Sequence, residues 1–141
     1  MRILIDTNVI LDIALGRKPF AEHAAMLFKT AHQQKIHMYM TATTVTDLYY
    51  ITRKEKGKET ALSFIGDLMR FLDVVSVDKN VILKALRSKL PDFEDAVQVC
   101  SANHEGIKTI ITRNEKDFIK SGLTIQNPKA FLEALQGDVE T

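Results

Sequence analysis

Short apolar runs alternate along this chain with longer segments in which apolar residues recur at helical spacing. Four runs have the length and residue types of buried strands, and a fifth resembles an edge strand: Arg2 to Ile5, His37 to Met40, Leu72 to Val77, Lys108 to Thr112 and Leu123 to Ile125. Each helical segment between them has an apolar face, which in the second helix is formed by Ala24, Leu27 and Ala31. Because parallel strands need such crossovers, the pattern predicts an α/β fold with a mainly parallel sheet.

Composition limits the size and setting of this fold. A chain of 141 residues with 45% hydrophobic residues predicts one compact domain, residues 1–137, followed by a frayed tail at 138–141. The net charge of +1 does not by itself indicate a polyanion-binding protein. The single cysteine, Cys100, excludes an internal disulfide and is compatible with a reducing cytoplasm. No run predicts a secretory leader or a membrane span, so we expect a cytoplasmic protein.

Asp6 stands where the first apolar run stops and a helical pattern, Val9 to Leu15, is about to begin. In an open parallel sheet, ligands bind in the crevice beyond the carboxyl ends of the strands, which is where this carboxylate would lie. The alternative is that Asp6 or Thr7 only caps the following helix, since both residue types satisfy free N–H groups there. The position alone leaves both interpretations open.

Acidic residues recur at similar junctions later in the chain. Asp47 lies about one turn inside a helix that begins near residues 41–44, three of which are threonines, and the alternative is that Asp47 only interacts with the helix dipole. Asp117 follows the fourth strand, and the alternative is the third residue of a short turn capped by Asn114. Each of these acids therefore has a local explanation beside the functional one.

Asp92 and Asp95 are three residues apart and share one face of the first turn of a helix that runs to about His104. Capping of this helix explains Asp92 well. It explains Asp95 less well, because the helix is apolar over much of its surface. A partly buried acid on such a helix needs a partner.

If these acids meet at one end of the sheet, unpaired carboxylates would raise one another's pKa values unless a cation neutralised them. Oxygen ligands without a Cys/His cluster favour a hard ion, Mg²⁺ or Mn²⁺, over zinc. The four histidines show no ligand spacing. The basic segment Arg53 to Lys58 is either a solvated loop or a rim that meets phosphates, and Arg53 and Arg113 are the candidate phosphate contacts.

Four short motifs in order along the chain resemble those of a PIN domain, and in particular those of the small prokaryotic PIN proteins that include the VapC-type toxins. They are Ile5 to Ile10, Thr46 to Tyr50, Asp92 to Ala96 and Thr112 to Phe118. The resemblance implies a three-layer α/β/α sandwich with a central, mainly parallel sheet of about five strands. It covers essentially the whole chain.

The resemblance also assigns site residues. The catalytic acids would be Asp6, Asp47, Asp95 and Asp117; the metal ligands Asp6, Asp95, Asp117 and Asp92; and the supporting residues Asn8, Thr112 and Asn114. At position 47 toxin relatives commonly have Glu, and the shorter Asp47 implies metal contact through water.

The activity implied is metal-dependent endoribonuclease cleavage by the toxin of a VapBC-type toxin-antitoxin system. RNA would be the substrate, an antitoxin the partner, and the chain a homodimer. Two alternatives stay open: a PIN-fold nuclease that processes RNA or cuts DNA without being a toxin, and a non-catalytic nucleic-acid-binding module.

Overall fold

The computed structural model describes the backbone of residues 1–140 and the side chains of residues 1–137. The predicted frayed tail, 138–141, lies outside the fully described residues. The strands are β1 (Arg2–Ile5), β2 (His37–Thr41), β3 (Leu72–Val75), β4 (Thr109–Ile111) and β5 (Thr124–Gln126). The helices are α1 (Thr7–Leu15), α2 (Phe20–Gln33), α3 (Ala42–Lys56), α4 (Lys58–Leu68), α5 (Lys79–Leu86), α6 (Phe93–His104) and α7 (Pro128–Glu140), with a 3₁₀ segment at Glu115–Ser121.

The five strands form one sheet in the order β3-β2-β1-β4-β5, and every neighbouring pair is parallel. The predicted α/β fold with a parallel five-stranded sheet is confirmed. The strand order grows outward from β1 in both directions, first through β2 and β3 and then through β4 and β5. The carboxyl ends of β1 and β4 therefore flank a topological switch point, where α/β sheets form their binding crevice.

Apolar clusters lie on both faces of the sheet around β1. The side chains of this strand alternate between the two faces, so they pack in both clusters. Ile3 and Ile5 pack with helices α1, α2, α3, α4 and α7, whereas Leu4 packs on the other face with α6 and Phe118 of the 3₁₀ segment. A smaller cluster joins α5 to α6. This two-sided burial explains why β1 is a continuous apolar run.

The predicted element limits differ from the structure by a few residues. Helix α1 begins at Thr7 rather than Val9, and β3 ends at Val75 rather than Val77. The turn predicted after Asn114 is a 3₁₀ segment of seven residues. Among the described helices, none combines the length and hydropathy that a bilayer crossing requires.

Candidate active site

Asp6 lies at the switch point between β1 and β4. Its backbone N–H donates to the Ile111 carbonyl at 2.9 Å, and the residue is only 3% exposed. Asp6 occupies the N-cap position of α1, but its side chain makes no capping hydrogen bond, so capping does not explain this carboxylate. Instead, Gln98 Nε2 donates to Oδ1 at 2.9 Å, and Thr112 Oγ1 donates to Oδ2 at 2.8 Å.

Burial raises the pKa of Asp6 above its ordinary value, and the hydrogen bonds from Gln98 and Thr112 oppose part of that shift. Neither of these donors carries a charge. No salt bridge to Asp6 is present among side chains 1–137. Asp6 is therefore a buried acid whose two oxygens are held by neutral groups.

A set of threonines ties the starts of three helices together. The hydroxyls of Thr7 and Thr44 lie 2.8 Å apart, and Thr7 Oγ1 donates to Glu94 Oε1 at 3.3 Å. Thr41 Oγ1 accepts from the Thr44 N–H at 3.3 Å and caps α3, as the hydroxyls of this segment predict. These contacts place the first turns of α1, α3 and α6 side by side, and Asp47 follows one turn along α3.

The acids at this edge of the sheet influence one another. Desolvation, together with the negative charges of Asp6, Asp92 and Asp117, raises the pKa of Asp95 to about 7. Desolvation, together with a hydrogen bond to Asp47 and the charges of Asp47 and Asp6, raises the pKa of Glu94 to about 7. The charges of Asp6 and Asp117 thus reach Asp95 directly, whereas Asp47 is connected to these acids through Glu94.

The donor chemistry of this neighbourhood fits a hard divalent cation, since the side chains that meet there offer carboxylate and hydroxyl oxygens. One further buried oxygen, Oε1 of Gln98, has no hydrogen-bond donor within residues 1–137. The carboxylates are spread apart, however. Within the described part of the chain, no three Asp, Glu, His or Cys side chains are spaced to hold an ion together.

The predicted supporting residues fall into two groups. Thr112 is fully buried; it donates to Asp6 and accepts from the Asn114 N–H at 3.0 Å. Asp92, which was predicted as a metal ligand with capping as the alternative, caps α6, because its Oδ1 accepts from the Asp95 N–H at 2.9 Å. The capping interpretation of Asp92 is confirmed. The side chains of Asn8 and Asn114 make no hydrogen bond with the described residues. Their supporting role stays a prediction.

Arg113, predicted to contact phosphate, is engaged within the protein. Its Nε donates to Asp12 Oδ2 at 2.6 Å and its Nη2 to Asp12 Oδ1 at 3.0 Å. Its guanidinium also lies 4.0 Å from the centroid of the Phe20 ring. Arg113 is therefore first a structural ion-pair partner. Arg53 is exposed on α3, 6.0 Å from the Tyr49 ring centroid, and its phosphate contact stays a prediction.

Sequence reasoning missed Gln98 and Glu94 as site residues. The two lie four apart on α6, so they share one helix face. The available signal was a glutamine between Val97 and Val99 on an apolar helix, because a buried amide needs a partner. That signal was used for Asp95 but not for Gln98.

Among models of protein families, the one described as the PIN domain matches residues 2–116 of this chain, which is more than half of its length. The chain belongs to the PIN domain family. The match spans the first three sequence motifs and the fourth as far as Lys116, so Asp117 lies one residue beyond it. A search of curated proteins found no match to this PIN domain.

Three solved structures illustrate the likeness of this PIN domain in fold. VapBC from Salmonella typhimurium, bound to DNA, has 19% identity and a TM-score of 0.70, covering 91% of this chain and 98% of that one. VapBC2 from Rickettsia felis, bound to a DNA fragment from their promoter, has 18% identity and a TM-score of 0.68, covering 90% and 98%. VapC20 from Mycobacterium tuberculosis, a Sarcin-Ricin loop cleaving toxin, has 15% identity and a TM-score of 0.61, covering 77% and 86%. At these identities the likeness shows the shared fold.

Proposed function

We propose that this PIN domain is a metal-dependent endoribonuclease that hydrolyses RNA phosphodiester bonds. The observation that carries the proposal is the buried carboxylate of Asp6 at the β1–β4 switch point, which is held by the neutral donors Gln98 and Thr112 and whose charge acts on Glu94 and Asp95. Membership of the PIN domain family supports it. VapC20, which has the same fold, is a Sarcin-Ricin loop cleaving toxin.

In this proposal, Asp6, Asp95 and Asp117 hold one or two Mg²⁺ or Mn²⁺ ions, with Asp92 as an additional acid. When bound, the ion supplies a Lewis acid for the phosphate and lowers the pKa of a bound water. Asp47, one turn along α3, would help to orient the attacking water. Thr112 keeps Asp6 in place by donating to Oδ2. The chain's own part of the chemistry is thus to gather and orient oxygen ligands.

We further propose that the chain is the toxin of a VapBC-type pair, acts as a homodimer, and binds a cognate antitoxin in the cytoplasm. Support comes from the solved VapBC complexes of Salmonella typhimurium and Rickettsia felis, which this chain resembles in fold over about nine-tenths of its length. Expression of the wild type in a bacterial host should arrest growth. Continued growth at a high level of wild-type protein would favour RNA processing without a toxin role.

The test of nuclease activity compares purified wild type, Asp6→Asn and Asp95→Asn with Mn²⁺ on single-stranded RNA. Both substitutions keep the size of the side chain but remove a carboxylate, so we expect cleavage to fall at least about a hundredfold, as for loss of a main catalytic group. Asp73→Asn is the matched control, because Asp73 is an exposed acid on β3.

Two results would contradict the nuclease proposal. One is RNA left intact by pure, folded wild type with either metal ion, and the other is full cleavage by Asp95→Asn. A parallel reaction with single-stranded DNA separates the substrates. Cleavage of DNA alone would show that the chain is a nuclease with a different substrate.

A further inference from the structure

Gln98 is a buried amide that the proposed chemistry leaves without a role. It lies on α6, is fully buried, and donates from Nε2 to Asp6 Oδ1 at 2.9 Å. Its own Oε1 has no donor within residues 1–137. A buried amide with an unmet oxygen is unfavourable compared with an apolar side chain of similar size. Its presence therefore indicates that the bond to Asp6 has a use beyond packing.

The geometry around Asp6 shows what that use is. A carboxylate has two oxygens with about four lone-pair sites in all. Gln98 occupies a site on Oδ1 and Thr112 a site on Oδ2, so the plane of the carboxylate is held from both sides. Both donors are neutral, so neither cancels the negative charge of Asp6, and Arg113 offsets that charge only in part and without a salt bridge to Asp6. The remaining sites on both oxygens are left for a cation.

Gln98 also links Asp6 to a second acid. Asp95 lies three residues before Gln98 on α6, so the two side chains project from the same part of the helix. A bond from Gln98 to Asp6 thereby fixes the position of Asp6 relative to the helix that carries Asp95. Asp6 and Gln98 are 92 residues apart in the chain, so no local structure would do this.

We propose that Gln98 is a positioning residue, whose amide holds the Asp6 carboxylate in the orientation and at the distance from Asp95 that a divalent cation needs. This inference rests on the proposed function for the identity of the ligand, a Mg²⁺-like ion. Gln98 itself touches neither the ion nor the RNA. It acts through Asp6, as residues that orient metal ligands do.

The test measures Mn²⁺ binding to the full chain by electron paramagnetic resonance, without RNA. In Gln98→Met, an unbranched apolar side chain of similar length replaces the amide. We expect the Kd for Mn²⁺ to rise about tenfold to a hundredfold, the usual effect of losing a group that orients a metal ligand. Ser101→Ala is the matched control, because Ser101 is also fully buried on α6 and its Oγ has no partner in the described residues. Its Kd should change less than about twofold, since the lost hydroxyl holds no ligand.

A second variant and a second readout keep the inference testable if Gln98→Met does not fold. Gln98→Asn retains a buried amide but withdraws it by one methylene, so its Kd for Mn²⁺ should also rise. At saturating Mn²⁺, kcat for RNA should fall in both variants while KM stays unchanged, because Gln98 does not contact substrate. A merely structural glutamine would lower the melting temperature but leave the Kd and kcat of the folded fraction unchanged.

The outcomes separate this inference from the nuclease proposal. If wild type binds Mn²⁺ and cleaves RNA, while folded Gln98→Met binds Mn²⁺ as tightly as Ser101→Ala, the positioning role is wrong and the nuclease stands. If wild type binds Mn²⁺ but cleaves nothing, the nuclease proposal fails, and the affinities of the variants still decide the role of Gln98. A wild type without Mn²⁺ affinity would overturn both.

Discussion

At the scale of single residues, Asp95 makes stability depend on pH. Its pKa rises from 3.8 to about 7 in the folded chain, first through desolvation and then through the charges of Asp6, Asp92 and Asp117. Between these two values the folded state binds more protons than the unfolded state, so the free energy of unfolding falls as pH rises. We expect the metal-free protein to melt at a lower temperature at about pH 8 than at about pH 5. Thermal unfolding followed by circular dichroism measures this.

Asp95→Asn isolates this contribution, because the amide does not titrate. The pH-dependent loss in melting temperature should be smaller in this variant than in wild type, and the control Asp73→Asn should follow wild type. The difference between variants cancels the contributions of the other acids, including Asp6 and Glu94, as far as their neighbourhood is unchanged. Equal losses in melting temperature in wild type and Asp95→Asn would show that Asp95 is not the source of the pH dependence.

At the scale of elements, one buried ion pair joins α1 to the loop after β4. Asp12 on α1 is 1% exposed, and Arg113 meets it through two hydrogen bonds of 2.6 and 3.0 Å. Arg113 directly follows Thr112, which holds Asp6, and precedes the 3₁₀ segment that carries Asp117. The ion pair therefore fixes the loop that supplies two groups to the site.

Removal of Arg113 should therefore lower the free energy of unfolding. In Arg113→Met, Asp12 becomes a buried charge without its main partner, and we expect a loss of about 3–5 kcal/mol in the free energy of unfolding by urea. Arg17 provides the control, since it lies 3.6 Å from Asp12 and is 39% exposed. Arg17→Ala should lose no more than about 1 kcal/mol. Adding Asp12→Leu to Arg113→Met should recover part of the loss, and no recovery would mean that charge burial is not the cause.

At the scale of the whole molecule, more of the fold than of the site could be predicted from the sequence. Apolar runs such as β1 and the helical faces between them are local patterns, and they determined the element order and the parallel sheet. The bonds that shape the site are not local. Gln98 meets Asp6 across 92 residues and Arg113 meets Asp12 across 101, so no spacing along the chain reveals either pair. Only the closed sheet brings them together.

The proposed RNA substrate raises a question at the same scale, because the net charge of the chain is only +1. Acids collect at the carboxyl ends of the strands, so the attraction for phosphates must come from other residues. Arg53 is a candidate, because it lies on α3 about 9 Å further along the helix axis than Asp47. If Arg53 contacts one phosphate, Arg53→Ala should reduce the slope of log affinity against log salt by about 0.7 for single-stranded RNA. Lys35→Ala is the control, because Lys35 lies just before the amino end of β2, whereas the acids lie at the carboxyl ends of the strands. The choice of cleavage site should not change in either variant, since phosphate contacts carry no sequence information. An unchanged slope in Arg53→Ala would place the basic segment in solvent, as its simpler interpretation holds.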